Sequence, residues 1–358
     1  MTGNLRNLTQ LPKKILISRT DRIGDFILTL PVFEAMHRFI KIDFTVLCQS
    51  SVVPLLKNNP YVTQVIGVSP NQPQTEIVQK IGQQGLDGLL VLVNDRYIRK
   101  LLPVLRHIPV RIGPLSKPQM IFRYTHPVIQ KRFQSIKNEA EYNLDLLKIF
   151  KIDFNNKLRP TVYLGGDELK SIKNSYPFIG DTSINCVVMH PGMSGSALNW
   201  PKQHYQELLK KLIAKNIFVL LTGASESERV NNDRYIFNLD SAQQKQALNI
   251  AQKLTLRGLA ALYAQCKLYI GPSTGPTHLA AAVRTPIISF YPPIQAQSAT
   301  RWEPYLAKAA IFSPQIRCTQ KFSCINEKCT HYFCMSQISV DQIVEQSMKF
   351  IDQSTSIK

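Results

Sequence analysis

Gly271-Pro272-Ser273-Thr274-Gly275-Pro276-Thr277-His278-Leu279-Ala280-Ala281-Ala282 is the stretch that decides the fold. The apolar run Leu268 to Ile270 ahead of it reads as a buried strand, and the small residues after Gly275 read as a helix. A strand entering a helix through a turn of small residues is the junction of a doubly wound α/β sheet, and such sheets bind ligands beyond the carboxyl ends of their strands. The free amides of a helix start, with the Ser273 and Thr274 hydroxyls beside them, make a seat for phosphate oxygens. His278 falls one turn along and serves either packing or that seat.

Working outward, strand and helix alternate in two series. In the first, strands are expected at Lys14 to Ser18, Phe44 to Cys48, Val62 to Val68, Leu86 to Val93 and Val110 to Ile112. Helices are expected at Asp25 to Phe39 (interrupted or kinked by Pro31), Thr75 to Gln84, Tyr97 to His107 and Glu139 to Phe150. Residues 156–182 read as a connection, with a short strand and a short polar helix among Pro and Gly. The second series has strands at Cys186 to Met189, Phe218 to Leu221, Leu268 to Ile270 and Ile287 to Phe290. Its helices begin near Gln203, Glu226, Leu256 and Thr274. Two such series predict two Rossmann-like, doubly wound parallel-sheet domains with a cleft between them. The expected domains are 1–176 and 177–337, and a helical tail, 338–358, would pack back across the first.

The chain has 358 residues, 44% hydrophobic and 19% charged, which suits a globular protein with two cores. Its start is polar rather than a secretory signal, and no apolar run approaches the ~20 residues of a membrane span, so a cytoplasmic place is expected. Net charge is +19. Between Arg96 and Lys137 there is no Asp or Glu, while Arg96, Arg99, Arg106, Arg111, Arg123 and Arg132 recur among aromatic residues. This stretch is either a solvated face or a surface for anionic lipid or an acidic acceptor. No nucleic-acid module accompanies the charge, so nucleic acid is not an expected partner.

Three further junctions carry candidate chemistry. Asp21-Arg22-Ile23-Gly24-Asp25 follows the first strand, and Asp25 would be either a helix N-cap or a general base. The loop from His190 to Pro201 holds Gly192, Ser194, Gly195 and Ser196, suited to phosphate or simply a glycine-serine connection. Glu226 and Glu228 stand just past a strand, where an acid either holds ribose hydroxyls or complements a helix start. No D-x-D pair is present to hold a metal against a nucleotide sugar. Cys318, Cys324, Cys329 and Cys334 cluster without a C-x2-C pair; they are metal-binding or a reduced structural element, and no metal is assigned.

In order and spacing these residues resemble glycosyltransferase family 9, the ADP-heptose:lipopolysaccharide heptosyltransferases and their relatives. The resemblance spans nearly the whole chain. It rests on Asp21 to Asp25 with Thr29-Leu30-Pro31, on Asn199-Trp200-Pro201, on Thr222-Gly223-Ala224, on Gly271 through Ala282, and on the cysteine-rich tail ending Cys334-Met335. It implies a GT-B fold, with an acceptor-binding first domain, a donor-binding second domain, and inverting, metal-independent transfer without a cofactor. Asp25 would then be the base. Gly192, Ser194, Ser196, Ser273, Thr274, Gly275 and His278 would face the donor, with Glu226 or Glu228 at its ribose. Asp21, Arg22, Arg96 and Arg99 would face the acceptor.

Two departures stand out. Leu198 occupies the place where such proteins often carry Lys or Arg, and Ser273 stands where some carry Asp. The expected activity is transfer of a sugar, heptose first, from a nucleotide diphosphate to a lipopolysaccharide-type or lipid-linked acceptor at the inner face of the inner membrane. The alternatives are a nucleotide-sugar 2-epimerase on the same fold and a non-catalytic sugar-nucleotide-binding relative.

Overall fold

Strands buried on both faces organise the chain: every residue of Gly88–Val91, Leu268–Pro272 and Ile287–Phe290 is buried, as parallel sheets covered by helices require. The computed structural model describes residues 3–4, 8, 10–115, 118–151, 158–181, 183–195 and 197–355. The chain divides into two compact units, Met1–Tyr163 and Leu164–Lys358.

In the first unit, β1 (Gly3–Asn4), β2 (Lys14–Arg19), β3 (Asp43–Gln49), β4 (Gln64–Val68), β5 (Gly88–Val91), β6 (Val110–Pro114) and β7 (His126–Ile129) form one sheet. Its order is β1-β7-β6-β5-β2-β3-β4, parallel except for β1 against β7. The helices are α1 (Ile23–Ile27), α2 (Leu30–Ala35), α3 (Gln74–Gly82), α4 (Arg96–Leu101) and α5 (Glu139–Asp145). The order reverses between β2 and β5, which pair through Ile15↔Gly88 and Ser18↔Val91. Pro31 takes effect as expected: the helix after Asp25 stops at Ile27 and restarts at Leu30, with Pro31 in the first turn of α2. The helix expected from Tyr97 to His107 is shorter: α4 ends at Leu101 ahead of Pro103, and Val104–His107 is a 3-10 turn.

The second unit holds α6 (Gly166–Ser175), β8 (Asn185–Met189), α7 (Lys202–Ile213), β9 (Ile217–Leu221), α8 (Glu226–Phe237), α9 (Ser241–Gln244) and β10 (Ala247–Asn249). It continues with α10 (Leu256–Tyr263), β11 (Leu268–Pro272), α11 (Gly275–Ala282), β12 (Ile287–Phe290), α12 (Ala299–Trp302), β13 (Ala309–Phe312) and α13 (Val340–Thr355). Its sheet, β10-β9-β8-β11-β12-β13, is parallel throughout and reverses between β8 and β11.

Two boundaries differ from the sequence expectation. The division falls at Tyr163 and Leu164 rather than after residue 176, because α6 belongs with α10: both Glu168 carboxylate oxygens accept from the buried Arg257 guanidinium, at 2.5 Å each. The tail also finds its place in the second unit. Ile343, Phe350 and Ile351 of α13 join that unit's core, and the buried Trp200 indole donates to the Ile338 carbonyl at 3.0 Å. An amphipathic helix buries its apolar face where an uncovered core is nearest, here against α7 and the inner strands β11 and β12.

Candidate functional site

β2 ends in a buried cation. Arg19 is 1% exposed and is the hub of an acid cluster. Its Nε donates to Asp21 Oδ1 at 2.7 Å, Nη2 to Asp25 Oδ1 at 2.8 Å, and Nη1 to Glu139 Oε1 at 3.1 Å and to Asn143 Oδ1 at 2.9 Å. Arg132 Nη1 donates to the same Glu139 Oε1 at 2.5 Å. Burial alone would lower the Arg19 pKa; the carboxylates of Asp21, Glu139 and Asp25 outweigh it and hold the guanidinium charged. Burial also raises the Asp21 carboxyl pKa, with Arg19 opposing the shift.

Asp25 is therefore not the N-cap of α1. Arg22 occupies that position, without a side-chain capping bond, and Asp25 lies in the first helical turn, where negative charge suits the helix dipole. Its carboxylate is fixed by Arg19 yet remains 18% exposed, the condition a base needs to meet a substrate hydroxyl. Arg22, Arg96 and Arg99 are exposed. Arg96 opens α4, and Arg99 donates back to the Asp95 carbonyl at 3.2 Å. Asp95 caps α4 and also accepts from Thr20 Oγ1 at 2.5 Å, so the ends of β2 and β5 are tied across the strand-order reversal. Arg19, Asp95, Arg132, Glu139 and Asn143 were not singled out as site residues by sequence; Asp95 before α4 and Asn138 before α5 are readable only as caps.

In the second unit, the loop after β8 and the start of α8 enclose a cavity of about 410 Å³. Gly192, Met193, Ser194, Asn199, Lys202, Ser225, Ser227 and Glu228 are among its walls. Gly192 permits that closeness, since a Cβ there would meet Glu228 Oε1 at 2.2 Å. Glu228 Oε2 accepts from the amides of Ala224 at 2.6 Å and Ser225 at 3.1 Å. Glu226, by contrast, is outside the walls and pairs with Arg229 in solvent. Ser196 lies outside the described residues.

His190 Nδ1 sits 2.9 Å from Thr222 Oγ1 at the ends of β8 and β9, and burial lowers its pKa to about 4. The Ser273-Thr274-Gly275 turn stands at the end of β11, the strand beside β8. Those residues and His278 do not line the cavity. Thr274 is the N-cap of α11 without a side-chain capping bond; Pro276 has no amide hydrogen, and the Thr277 amide donates to the Thr274 carbonyl at 3.1 Å. His278 is buried, its Nδ1 has no hydrogen-bond partner among the described residues, and burial lowers its pKa to about 4. Among the described residues no three His, Cys, Asp or Glu side chains converge to hold a metal, Cys318, Cys324, Cys329 and Cys334 included. Nor is any described helix long and apolar enough to cross a membrane.

The sequence model of glycosyltransferase family 9 (heptosyltransferase) matches residues 143–330. A Haemophilus influenzae protein provisionally named a glycosyltransferase is 31% identical over 313 residues, 82% of this chain and 86% of that one. Lipopolysaccharide heptosyltransferase 2 of Salmonella typhimurium is 24% identical over 302 residues, 78% of this chain and 83% of its own. The solved E. coli ADP-heptose lipopolysaccharide heptosyltransferase II shares the fold, with a TM-score of 0.76 at 21% identity over 96% of this chain and 99% of that chain. The two parallel-sheet units are thus those of a GT-B protein, and the chain belongs to glycosyltransferase family 9, the heptosyltransferase family, and is a glycosyltransferase.

Proposed function

We propose that this glycosyltransferase moves a heptose from ADP-heptose onto a lipopolysaccharide core-type acceptor, with inversion and without a metal. Asp25 takes the proton of an acceptor hydroxyl as that oxygen attacks the anomeric carbon. The new glycosidic bond forms while the bond from that carbon to the diphosphate oxygen breaks. The diphosphate leaves as an anion, and the Ser273-Thr274-Gly275 helix start, Gly192 and Ser194 of the second unit offer amides and hydroxyls to it. Glu228 rather than Glu226 is the acid for the ribose, since it alone of the two lines the cavity.

The observation that carries this reading is the position of the candidates. Arg19 ends β2 and Asp25 follows it, and the loop and turn assigned to the donor follow β8 and β11, so the groups stand at the strand-order reversal of each sheet, the place where open α/β sheets take their ligands. Asp21, which shares Arg19 with Asp25, and the exposed Arg22, Arg96 and Arg99 are assigned to the acceptor. The basic stretch from Arg96 to Lys137 favours an acidic acceptor and a peripheral place on the anionic inner face of the inner membrane. Incubation with ADP-heptose and a heptose-deficient lipopolysaccharide core, read by mass spectrometry, tests it. One added heptose per acceptor is expected. Donor conversion with no acceptor present, or a core left unmodified, would set the reading aside.

A further inference from the structure

We infer that Lys202 supplies the cation for the donor diphosphate, in place of the charge that Leu198 does not provide; the inference rests on the cavity beside Gly192 being the donor site. Lys202 is the one positively charged residue among the described residues lining that cavity, and Glu228 is the one acid. A diphosphate entering there brings two or more negative charges beside Glu228, so it needs a cation in the same wall. Arg229, one residue past Glu228 on α8, is held by Glu226 and Asp233, and Lys210 and Arg234 do not line this cavity. No hydrogen bond or ion pair holds Lys202 among the described residues, and its side chain is exposed to the cavity mouth.

The backbone around it is fixed. Leu198 turns its side chain to the core of the second unit. Asn199 Nδ2 donates to the Pro191 carbonyl at 2.8 Å, and Asn199 Oδ1 accepts from the Tyr205 hydroxyl at 2.9 Å, tying the start of α7 to the Gly192 loop. Trp200 stacks on Phe290 with ring centres 4.5 Å apart, which locks the turn between Leu198 and Lys202. Lys202 is thereby presented to the same space as Ser194, Ser225 and Ser227. A mobile ammonium is a good point charge for phosphate. Placed four residues beyond Leu198, it restores the charge by a different route through the fold.

Calorimetric titration of the full chain with ADP, GDP, UDP and CDP, and with the matching nucleosides, tests this. For the diphosphate that binds best, Lys202→Ala should weaken binding about tenfold, the loss of one charge-assisted contact. The matching nucleoside should bind the variant as it binds the wild type, and Lys202→Arg should recover most of the loss. In turnover the loss should appear in the donor KM more than in kcat. Equal diphosphate binding by Lys202→Ala, or an equal loss for the nucleoside, overturns the role of Lys202 while the donor cavity stands. A wild-type protein that binds none of the four diphosphates overturns the donor reading, and this inference with it.

Discussion

Replacing Arg19 by Met removes one buried charge from among three carboxylates while nearly keeping its length. Arg19 and Glu139 are each 1% exposed, and Asp21 and Asp25 are largely covered. Taking away one partner of a buried pair costs about 3–5 kcal/mol, because the other charge is left without compensation. Glu139 keeps Arg132, so the loss should fall near the low end, about 3 kcal/mol at pH 7. The deficit should also shrink with acid. Without Arg19 the clustered carboxylates repel one another, which raises their folded pKa values above the unfolded ones. Protonation then favours the folded variant, so its deficit is full above those folded values and is lost as pH falls through them. Denaturant unfolding of both proteins at pH 7 and pH 5 reads both effects. A loss under about 1 kcal/mol, the range of exposed pairs, would refute the reasoning. So would a deficit unchanged between the two pH values.

Two other perturbations bear on the same architecture. His190 and His278 are both lowered to about 4 by burial, with Glu228 opposing the shift at His190. The unfolded chain takes up those protons first, near pH 6.5, so stability is full above pH 6.5 and falls as pH drops toward 4, by about 3 kcal/mol per histidine over that window. His278→Asn should flatten the slope of thermal melting between pH 6.5 and 4; an unchanged slope would assign the proton uptake elsewhere. On the surface, changing the exposed Arg96, Arg99 and Arg106 together to Ala should lower sedimentation with anionic vesicles at least about tenfold at low salt, given about 1 kcal/mol per charge near such a surface. Half-molar salt should abolish the difference, and binding indifferent to salt would remove the membrane role.

The sheets were legible because their strands announce themselves. Leu89 to Val91 and Leu268 to Ile270 are unbroken apolar runs, Ile287 to Phe290 is broken only by Ser289, and Pro31 marks a real interruption, whereas the helix expected from Tyr97 to His107 overran Pro103. β7, β10 and β13 were not singled out, because four, three and four residues carry too short a pattern to separate from loop, and β7 contains Pro127. The acid Asp25 was visible as a residue but not as an arrangement. Its partner Arg19 is joined to Glu139 and Asn143, 120 and 124 positions away, and no local pattern links residues so distant. The second unit shows the same limit from the other side. Glu226 and Glu228 are indistinguishable by spacing, and only the fold turns Glu228 to the cavity and leaves Glu226 with Arg229. Leu198 could be read as a missing charge, whereas Lys202 needed the turn at Trp200 to bring it to the same wall.

The most direct measurement is the transfer rate of Asp25→Asn with ADP-heptose and a heptose-deficient core, beside its affinity for the donor. Asn can still accept from Arg19 Nη2, so the fold and the donor seat stay in place while the proton acceptor is gone. The account predicts kcat lower by about 10²–10⁴-fold with donor affinity unchanged. A variant that turns over as fast as the wild type would contradict it.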